Sequence, residues 1–374
     1  MSDNIVSGDH FLPSRAQASA AQPVQLTIQD VAFGGKGVGR TSGKVVFVPY
    51  VIDGETVSAR VLREHKKFEE AELEMVIASS PHRVKPRCPY FGRCGGCVYQ
   101  HIEYDYQLAL KWRQVKETLR RIGKLENAPM RPFIPSPLDY AYRNRITVHV
   151  EDGVIGFFRR ESNTLLDIEY CPIASGEVNA HLAQLRATHP HNGHYKLQAH
   201  DGPRIFVQAN DAVAASMLDL VERTAASADL LIDGFCGAGF FAKRLRSRFR
   251  KVIGIDWDQH AIAVAQKDAQ PNEEYIAGNI ETELPRLLQE NEKSTVVILD
   301  PPAIGLNDSI RHALQVHPPA QLIYVSCNPG TLARDLAAIE KKFHCDSVTP
   351  LDMFPQAAEI EVIVELSPRQ LGTP

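Results

Sequence analysis

Apolar and polar positions fall into three textures along the chain. Between residues 24 and about 78 they alternate in short runs, VQLTIQDVAF, KVVFVPYV, ETVSARVLRE and AELEMVIAS, interrupted by GGKGVGR and an Asp53-Gly54 turn. Closely spaced period-two runs with turn residues between them predict a small β-barrel. From Tyr104 to Gly123 the period changes, and Leu108, Trp112, Val115, Leu119 and Ile122 recur at helical spacing. That spacing predicts one helix with an apolar stripe turned to a core, and Lys111, Arg113, Lys116, Arg120 and Arg121 fall on its other faces. RITVHV, GVIGFFRR and RIFVQAN then predict a β-rich region enclosing Cys171.

From residue 229 strands alternate with helices: DLLID, a glycine-rich turn, KVIGID, EEYIAGN, TVVILD and LIYVSC, each followed by a helical stretch or a turn. This order predicts a mainly parallel sheet covered on both faces, with ligands at the carboxyl ends of its strands. The chain therefore divides into a disordered tail (1–23), a barrel (24–80), a central region (81–220) and a Rossmann-like α/β domain (221–374).

Charge changes this picture. The net charge of −4 over 374 residues conceals a split. Residues 81–160 hold 15 Lys/Arg against 7 Asp/Glu, a net of +8, and residues 161–374 hold 18 against 28, a net of −10. One basic segment in an acidic chain suggests a localised phosphate-binding surface, and a nucleic-acid-binding barrel of the OB type fits beside it. The apolar runs are strand-sized, and the tail has neither the charged start nor the apolar stretch of a signal peptide. A cytoplasmic monomer with no membrane segment is expected.

Seven cysteines in such a chain point to metal or catalytic chemistry rather than disulfides. Cys88, Cys94 and Cys97 lie within ten residues among Gly92, Gly95 and Gly96, and Cys171, followed by proline like Cys88, is the candidate fourth ligand. Four thiolates suit a cubane iron–sulfur cluster or zinc, and the presence of one CxxC rather than two favours the cluster. The turn Asp233-Gly-Phe235-Cys236-Gly237-Ala-Gly239 follows an apolar strand and precedes a helix, as nucleotide-like cofactors require. It also satisfies a relaxed nicotinamide fingerprint. Asp256 at the end of the next strand and Asp300-Pro301-Pro302 at the end of a later one complete the acid pattern of class I methyltransferases, which favours S-adenosylmethionine. Cys327 ends an apolar strand just before a helix, where thiolate should be favoured. Alternation puts Glu359, Glu361 and Glu365 on one strand face, which a solvated edge strand explains equally well. Cys236 and Cys345 read as packing residues.

The stretch CPYFGRCGGCVYQHIEYDYQLALK resembles the cluster motif of bacterial uridine-C5 RNA methyltransferases of the RumA type. GKGVGR, VVFVPYVIDGE and SSPHRVKPRC are similar to that family's TRAM domain, an OB-like RNA-binding module. The resemblance covers all but the first twenty or so residues and the last few. It implies a [4Fe–4S] cluster on Cys88, Cys94, Cys97 and Cys171. It also implies S-adenosylmethionine contacts from Gln208, Phe235 and Asn279, beside Gly237, Asp256 and Asp300. SCNPGTLARDL matches the family's nucleophile motif, so Cys327 would add to uracil C6 and Glu361 would remove the C5 proton. Phe240, Asn279, Ala303 and Glu359 depart from the family's usual residues. A TRAM domain with a cluster implies 23S rRNA as substrate, with tRNA as the alternative. A non-catalytic RNA-binding homologue and an iron–sulfur nicotinamide oxidoreductase are the rival classes. Arg143, Arg145 and the basic faces of the 104–123 helix are the expected phosphate contacts.

Overall fold

Six short strands form the first sheet of this computed structural model, which describes residues 23–369 apart from 42, 200–206 and 292–293. The tail expected over residues 1–22 lies outside the described residues. The strands are β1 (Val24–Thr27), β2 (Asp30–Val31), β3 (Lys36–Thr41), β4 (Lys44–Pro49), β5 (Thr56–Glu64) and β6 (Phe68–Ala78), in the order β1-β5-β6-β4-β3-β2. Period-two alternation has its expected effect, because Leu26, Val46, Val48, Val57 and Ala59 all point into one small core. A Cβ at Gly37 or Gly39 would run into Val51 or Leu26, so the two glycines let β3 lie close against the rest of the barrel.

The helix α1 (Tyr104–Arg121) forms as its period predicts, but a different face is buried. Gln107, Leu110, Lys111, Gln114, Val115 and Leu119 are inside, whereas Ile122 is exposed and Leu108 and Trp112 are half-buried. The cause is that α1 is wedged between two bodies rather than laid on one. Gln114 donates to the carbonyls of Val31 and Ala32 in the barrel, at 2.9 and 3.1 Å. Val115 and Leu119 enter the core of the C-terminal sheet. Lys111, fully buried, donates to Asp352 Oδ1 at 2.7 Å and to the carbonyl of Phe354 at 2.9 Å. A polar side chain on the buried face is acceptable here because each has a partner.

The central sheet is antiparallel, ordered β10-β7-β8-β9, from β7 (Arg145–Glu151), β8 (Val154–Phe158), β9 (Leu165–Asp167) and β10 (Gly193–Gln198). Helix α2 (Gly176–Ala187), capped by Ser175, packs Val178 and Leu182 against it. The RIFVQAN run lies partly outside the described residues. Among its described positions only Asn210 makes a ladder contact, an isolated bridge to Arg143.

Helix α3 (Asp211–Thr224) leads into the third sheet, in the order β13-β12-β11-β14-β15-β17-β16. Its strands are β11 (Leu230–Gly234), β12 (Lys251–Asp256), β13 (Glu273–Ala277), β14 (Thr295–Leu299), β15 (Gln321–Ser326), β16 (Phe343–Leu351) and β17 (Glu361–Pro368). The helices between them are α4 (Phe240–Leu245), α5 (Gln259–Gln266), α6 (Ile280–Asn291), α7 (Asp308–Val316) and α8 (Pro329–Ile339). Strands β11 to β15 are parallel, and successive residues go to opposite layers. Ile232, Val297 and Tyr324 face α6, α7 and α8, and Leu231, Val296 and Ile323 face α3, α4 and α5. Residues 130–134 run beside β16, bridging Met130 to Val348 and Ile134 to Leu351.

The Lys111–Asp352 pair joins α1 to the loop after β16 in an environment without water. Removing one partner leaves an unpaired buried charge, so Lys111→Met should cost about 3–5 kcal/mol in urea unfolding. Lys111→Met with Asp352→Leu should recover most of that loss. A double variant as unstable as the single one would show that the charge pair is not what holds the contact.

Candidate active site

The carboxyl ends of β11, β12, β14 and β15 lie along one edge of the third sheet, and β17, running antiparallel, brings its amino end to the same edge. The register pairs Ser326 with Val362, so one step further along the ladder Cys327 comes opposite Glu361. Leu299 pairs with Tyr324, so Asp300 follows at the level of Val325, and its charge raises both Cys327 and Glu361. Glu361 is 3% exposed, and β17 lies between β15 and β16. The solvated edge strand is therefore corrected: the three glutamates are not equivalent. Glu359 precedes the strand and is exposed, and Glu365 accepts a hydrogen bond from Ser347 Oγ at 2.8 Å.

Burial and crowding of like charge set the ionisation of this edge. Burial raises the Asp300 and Glu361 carboxyls well above the usual range, and the Asp300 charge adds to the shift at Glu361. Gln208 donates to Asp300 Oδ2 at 3.2 Å and partly offsets its shift. The Cys327 thiol is pushed up to about 12, first by burial and then by the charges of Glu361 and Asp300. The expectation of a ready thiolate is thus reversed. The α8 amides closest to Cys327 do not help, because Asn328 Oδ1 accepts from Gly330 N and Thr331 N at 2.9 and 3.4 Å.

The turn after β11 is built as the glycine pattern requires. Gly237 and Gly239 have φ of 55° and 86°, and Phe235, a non-glycine, is held at 64°. Asp256 Oδ2 accepts from Gly237 N at 2.8 Å and Oδ1 from Asp258 N at 2.9 Å, which ties this turn to the end of β12. Each oxygen keeps a lone pair for a further donor. Asn279 follows Gly278, whose N–H donates to the carbonyl of Asp256, and its Oδ1 accepts from Glu281 N at the start of α6. Asp233 is the feature that composition could not show. It is fully buried, Oδ2 accepts from Ala242 N at 2.8 Å, and Oδ1 has no partner. Burial, aided by Asp300 and Asp256, raises its carboxyl to about 8. A buried acceptor calls for a donor, and among the described residues none reaches Oδ1. Cys236 is buried in packing contacts, as expected.

Cys88, Cys94, Cys97 and Cys171 come together around one cavity of about 490 Å³, lined also by Arg143, Arg159 and Arg160. Burial raises all four thiols, Cys94 to about 11, and the charge of Cys171 raises Cys88, Cys94 and Cys97 further. Among the described residues no three His, Cys, Asp or Glu side chains converge closely enough to hold a single metal ion. The cysteines surround a space instead of a point.

Several expected phosphate contacts are otherwise engaged. Lys111 is buried against Asp352, Arg113 pairs with Asp53 at 2.9 Å, and Arg120 and Arg121 pair with Glu117. Arg143 donates through Nε to the carbonyl of Arg145 and lines the cysteine cavity. Lys111 and Arg113 are thus engaged within the protein, whereas Arg120 and Arg121 share one exposed carboxylate and Lys116 is exposed. Among the described residues no helix is long and apolar enough to cross a membrane.

Comparison with known proteins agrees with the architecture of the barrel and the third sheet. Residues 22–73 match the TRAM domain family and residues 281–369 the tRNA (Uracil-5-)-methyltransferase family. Residues 228–318 match the RNA cap guanine-N2 methyltransferase family, across the same sheet. An RNA methyltransferase of Bdellovibrio bacteriovorus is 31% identical over 375 residues, covering 92% of this chain and 94% of its own. One from Aquifex aeolicus is 28% identical, covering 92% of this chain and 98% of its own. Among solved structures, the Pyrococcus abyssi tRNA (uracil-54, C5)-methyltransferase in complex with S-adenosyl-L-homocysteine shares the fold. Its TM-score is 0.69 at 22% identity, over 92% of this chain and all of that one. The chain belongs to the RNA methyltransferases, among those that join a TRAM domain to a tRNA (uracil-5-)-methyltransferase domain.

Proposed function

We propose that this protein methylates C5 of a uridine in RNA, with Cys327 as the covalent nucleophile and Glu361 as the base. The observation that carries this reading is that Cys327 and Glu361 each adjoin the last pair of the β15–β17 ladder, Ser326 with Val362, and both feel the Asp300 charge. Uracil C5 is not nucleophilic by itself. Addition of a thiolate to C6 makes C5 an enolate carbon that can take a methyl group, and loss of the C5 proton then breaks the S–C6 bond and restores the ring. Attack at C6 needs access perpendicular to the ring, so the uridine must leave its stack.

S-adenosylmethionine supplies an electrophilic methyl group on a sulfonium. Asp233 Oδ1, the orphan acceptor, suits its ammonium group, and Asp256, with two lone pairs left, suits its ribose hydroxyls. Gln208, Phe235, Gly237 and Asn279 complete the pocket in this reading. Burial raises the Cys327 thiol first and the charges of Glu361 and Asp300 raise it further, so a cation beside them would offset the charge contribution. Glu361, held above the usual carboxylate range, is suited to accept a proton from carbon and pass it to water.

The four cysteines ring one cavity, and the arginines lining it would balance a thiolate-rich centre such as a [4Fe–4S] cluster. The chemistry has no electron-transfer step, so such a centre would hold the central fold. The TRAM barrel with four such cysteines supports 23S rRNA as substrate in the cytoplasm. A tRNA uridine is the second reading, favoured by the name of the matched family and by the substrate of the Pyrococcus protein.

Cys327→Ala should lower methyl transfer to RNA by about 10³-fold or more. Glu361→Gln should lower turnover by about 10²–10⁴-fold while leaving methylated RNA bound to the protein through SDS. Retained transfer in the first variant, counted with radiolabelled S-adenosylmethionine on 23S rRNA and tRNA transcripts, would refute the nucleophile. Protein purified without oxygen should contain iron and sulfide in equal amounts, and Cys171→Ala should lose both. Finding one zinc per chain would replace the cluster.

Asp233 generates a pH prediction. Its folded value of about 8 exceeds the unfolded value of about 3.9, so the stability it contributes is complete below the latter and lost as pH rises to the former. Without cofactor, Asp233→Asn should gain on the parent between pH 4 and 8 and no further above about 8 in melting measurements. The same variant should bind S-adenosylhomocysteine at least about 10-fold more weakly by calorimetry. A pH-independent difference would contradict the burial assigned to this group.

A further inference from the structure

The loop that joins β16 to β17 delivers Glu361 to the active edge, and it is held from outside its own sheet. Gln356, at the middle of that loop, is 2% exposed and has φ of 69°, a left-handed backbone that a side chain resists. Its carbonyl accepts from Val98 N at 2.9 Å and Tyr99 N at 3.0 Å, immediately after Cys97. Its own N–H donates to Gln107 Oε1 at 3.2 Å, and its Oε1 accepts from Gln107 Nε2 at 2.9 Å. Tyr142 Oη donates to the neighbouring carbonyl of Pro355 at 2.9 Å.

We propose that Gln356 and Gln107 are positioning residues for proton removal, their paired amides fixing the approach of Glu361 and joining it to the cysteine-bearing loop. The proposal rests on the reading of Glu361 as the base. A strained residue in a connecting loop relaxes unless its surroundings hold it, and here every polar group of Gln356 is used in holding it. Relaxation toward right-handed backbone would swing the chain that enters β17 and carry the Glu361 carboxylate away from C5. Formation of the S–C6 bond depends on Cys327 and on α8, which the latch does not touch. The latch should therefore affect the end of the reaction and not its beginning. The same bonds give the cysteine loop a mechanical route to the active edge, since Val98 and Tyr99 both end on the Gln356 carbonyl.

Two substitutions test this on the intact protein with unmodified RNA. Gln107→Leu removes the partner, and Gln356→Ala removes the side-chain amide while its Cβ still strains the left-handed backbone. If Gln107→Leu does not fold, Gln356→Ala carries the test alone. In each, turnover should fall by about 10- to 100-fold while the KM for S-adenosylmethionine and the rate of covalent RNA capture stay unchanged. The share of enzyme bound to methylated RNA at steady state, read on denaturing gels, should rise. Turnover falling together with capture and KM would mean a structural role only, and unchanged turnover would mean none; either result overturns the proposal. An unaltered protein that forms no adduct at all overturns the Cys327 reading and this proposal with it.

Discussion

A thiol and two carboxyl groups meet at one end of a sheet, and their partial burial and mutual charge govern the rest of the site. The ladder between β15 and β17 fixes it: because β17 runs antiparallel, its first residue, Glu361, falls opposite Cys327. Burial first, and then the charges of Glu361 and Asp300, favour the neutral thiol at Cys327, the proposed nucleophile. In the proposed reaction a cationic methyl donor would oppose the charge part of that effect.

Crowding of this kind survives only if the backbone is held firmly on all sides. Asp233 and Asp256 tie the glycine turn through Ala242 N and Gly237 N, and Gln208 ties Asp300 to the segment entering α3. On the other side, α1 clamps the loop before Glu361 through Lys111 and Gln107. The helix that looks basic in the sequence is thus an internal brace between the barrel and the catalytic sheet. Lys111 and Arg113 are engaged within the protein, which leaves less of it for RNA than the charge count implies.

The sequence made the architecture legible where local periodicity decides structure. Alternation marked the barrel strands, and the strand–helix order marked the parallel sheet, because both are set by neighbours along the chain. It identified Cys327, Asp256 and Asp300 as strand-end residues, and the four cysteines as a group. It could not show that β17 is interior, since Glu361 at the mouth of a buried strand reads like a solvent-facing acid until its neighbours are known. Nor could it orient α1. Gln107, Lys111 and Gln114 read as exposed polar positions, and only long-range partners such as Asp352 and Gln356 explain their burial. The thiolate expectation failed for a related reason: a helix N-terminus is local, whereas the opposing carboxylates come from separate strands.

The central claim is that the sulfur of Cys327 adds to C6 of a flipped uridine. The most direct measurement is incubation with 5-fluorouridine-containing RNA and S-adenosylmethionine, followed by digestion and mass-spectrometric mapping of the linked peptide. Fluorine at C5 cannot leave as a proton does, so the account predicts a stable adduct on the peptide containing Cys327, carrying the transferred methyl group. An adduct on another cysteine, or methylation proceeding with no adduct, would contradict it.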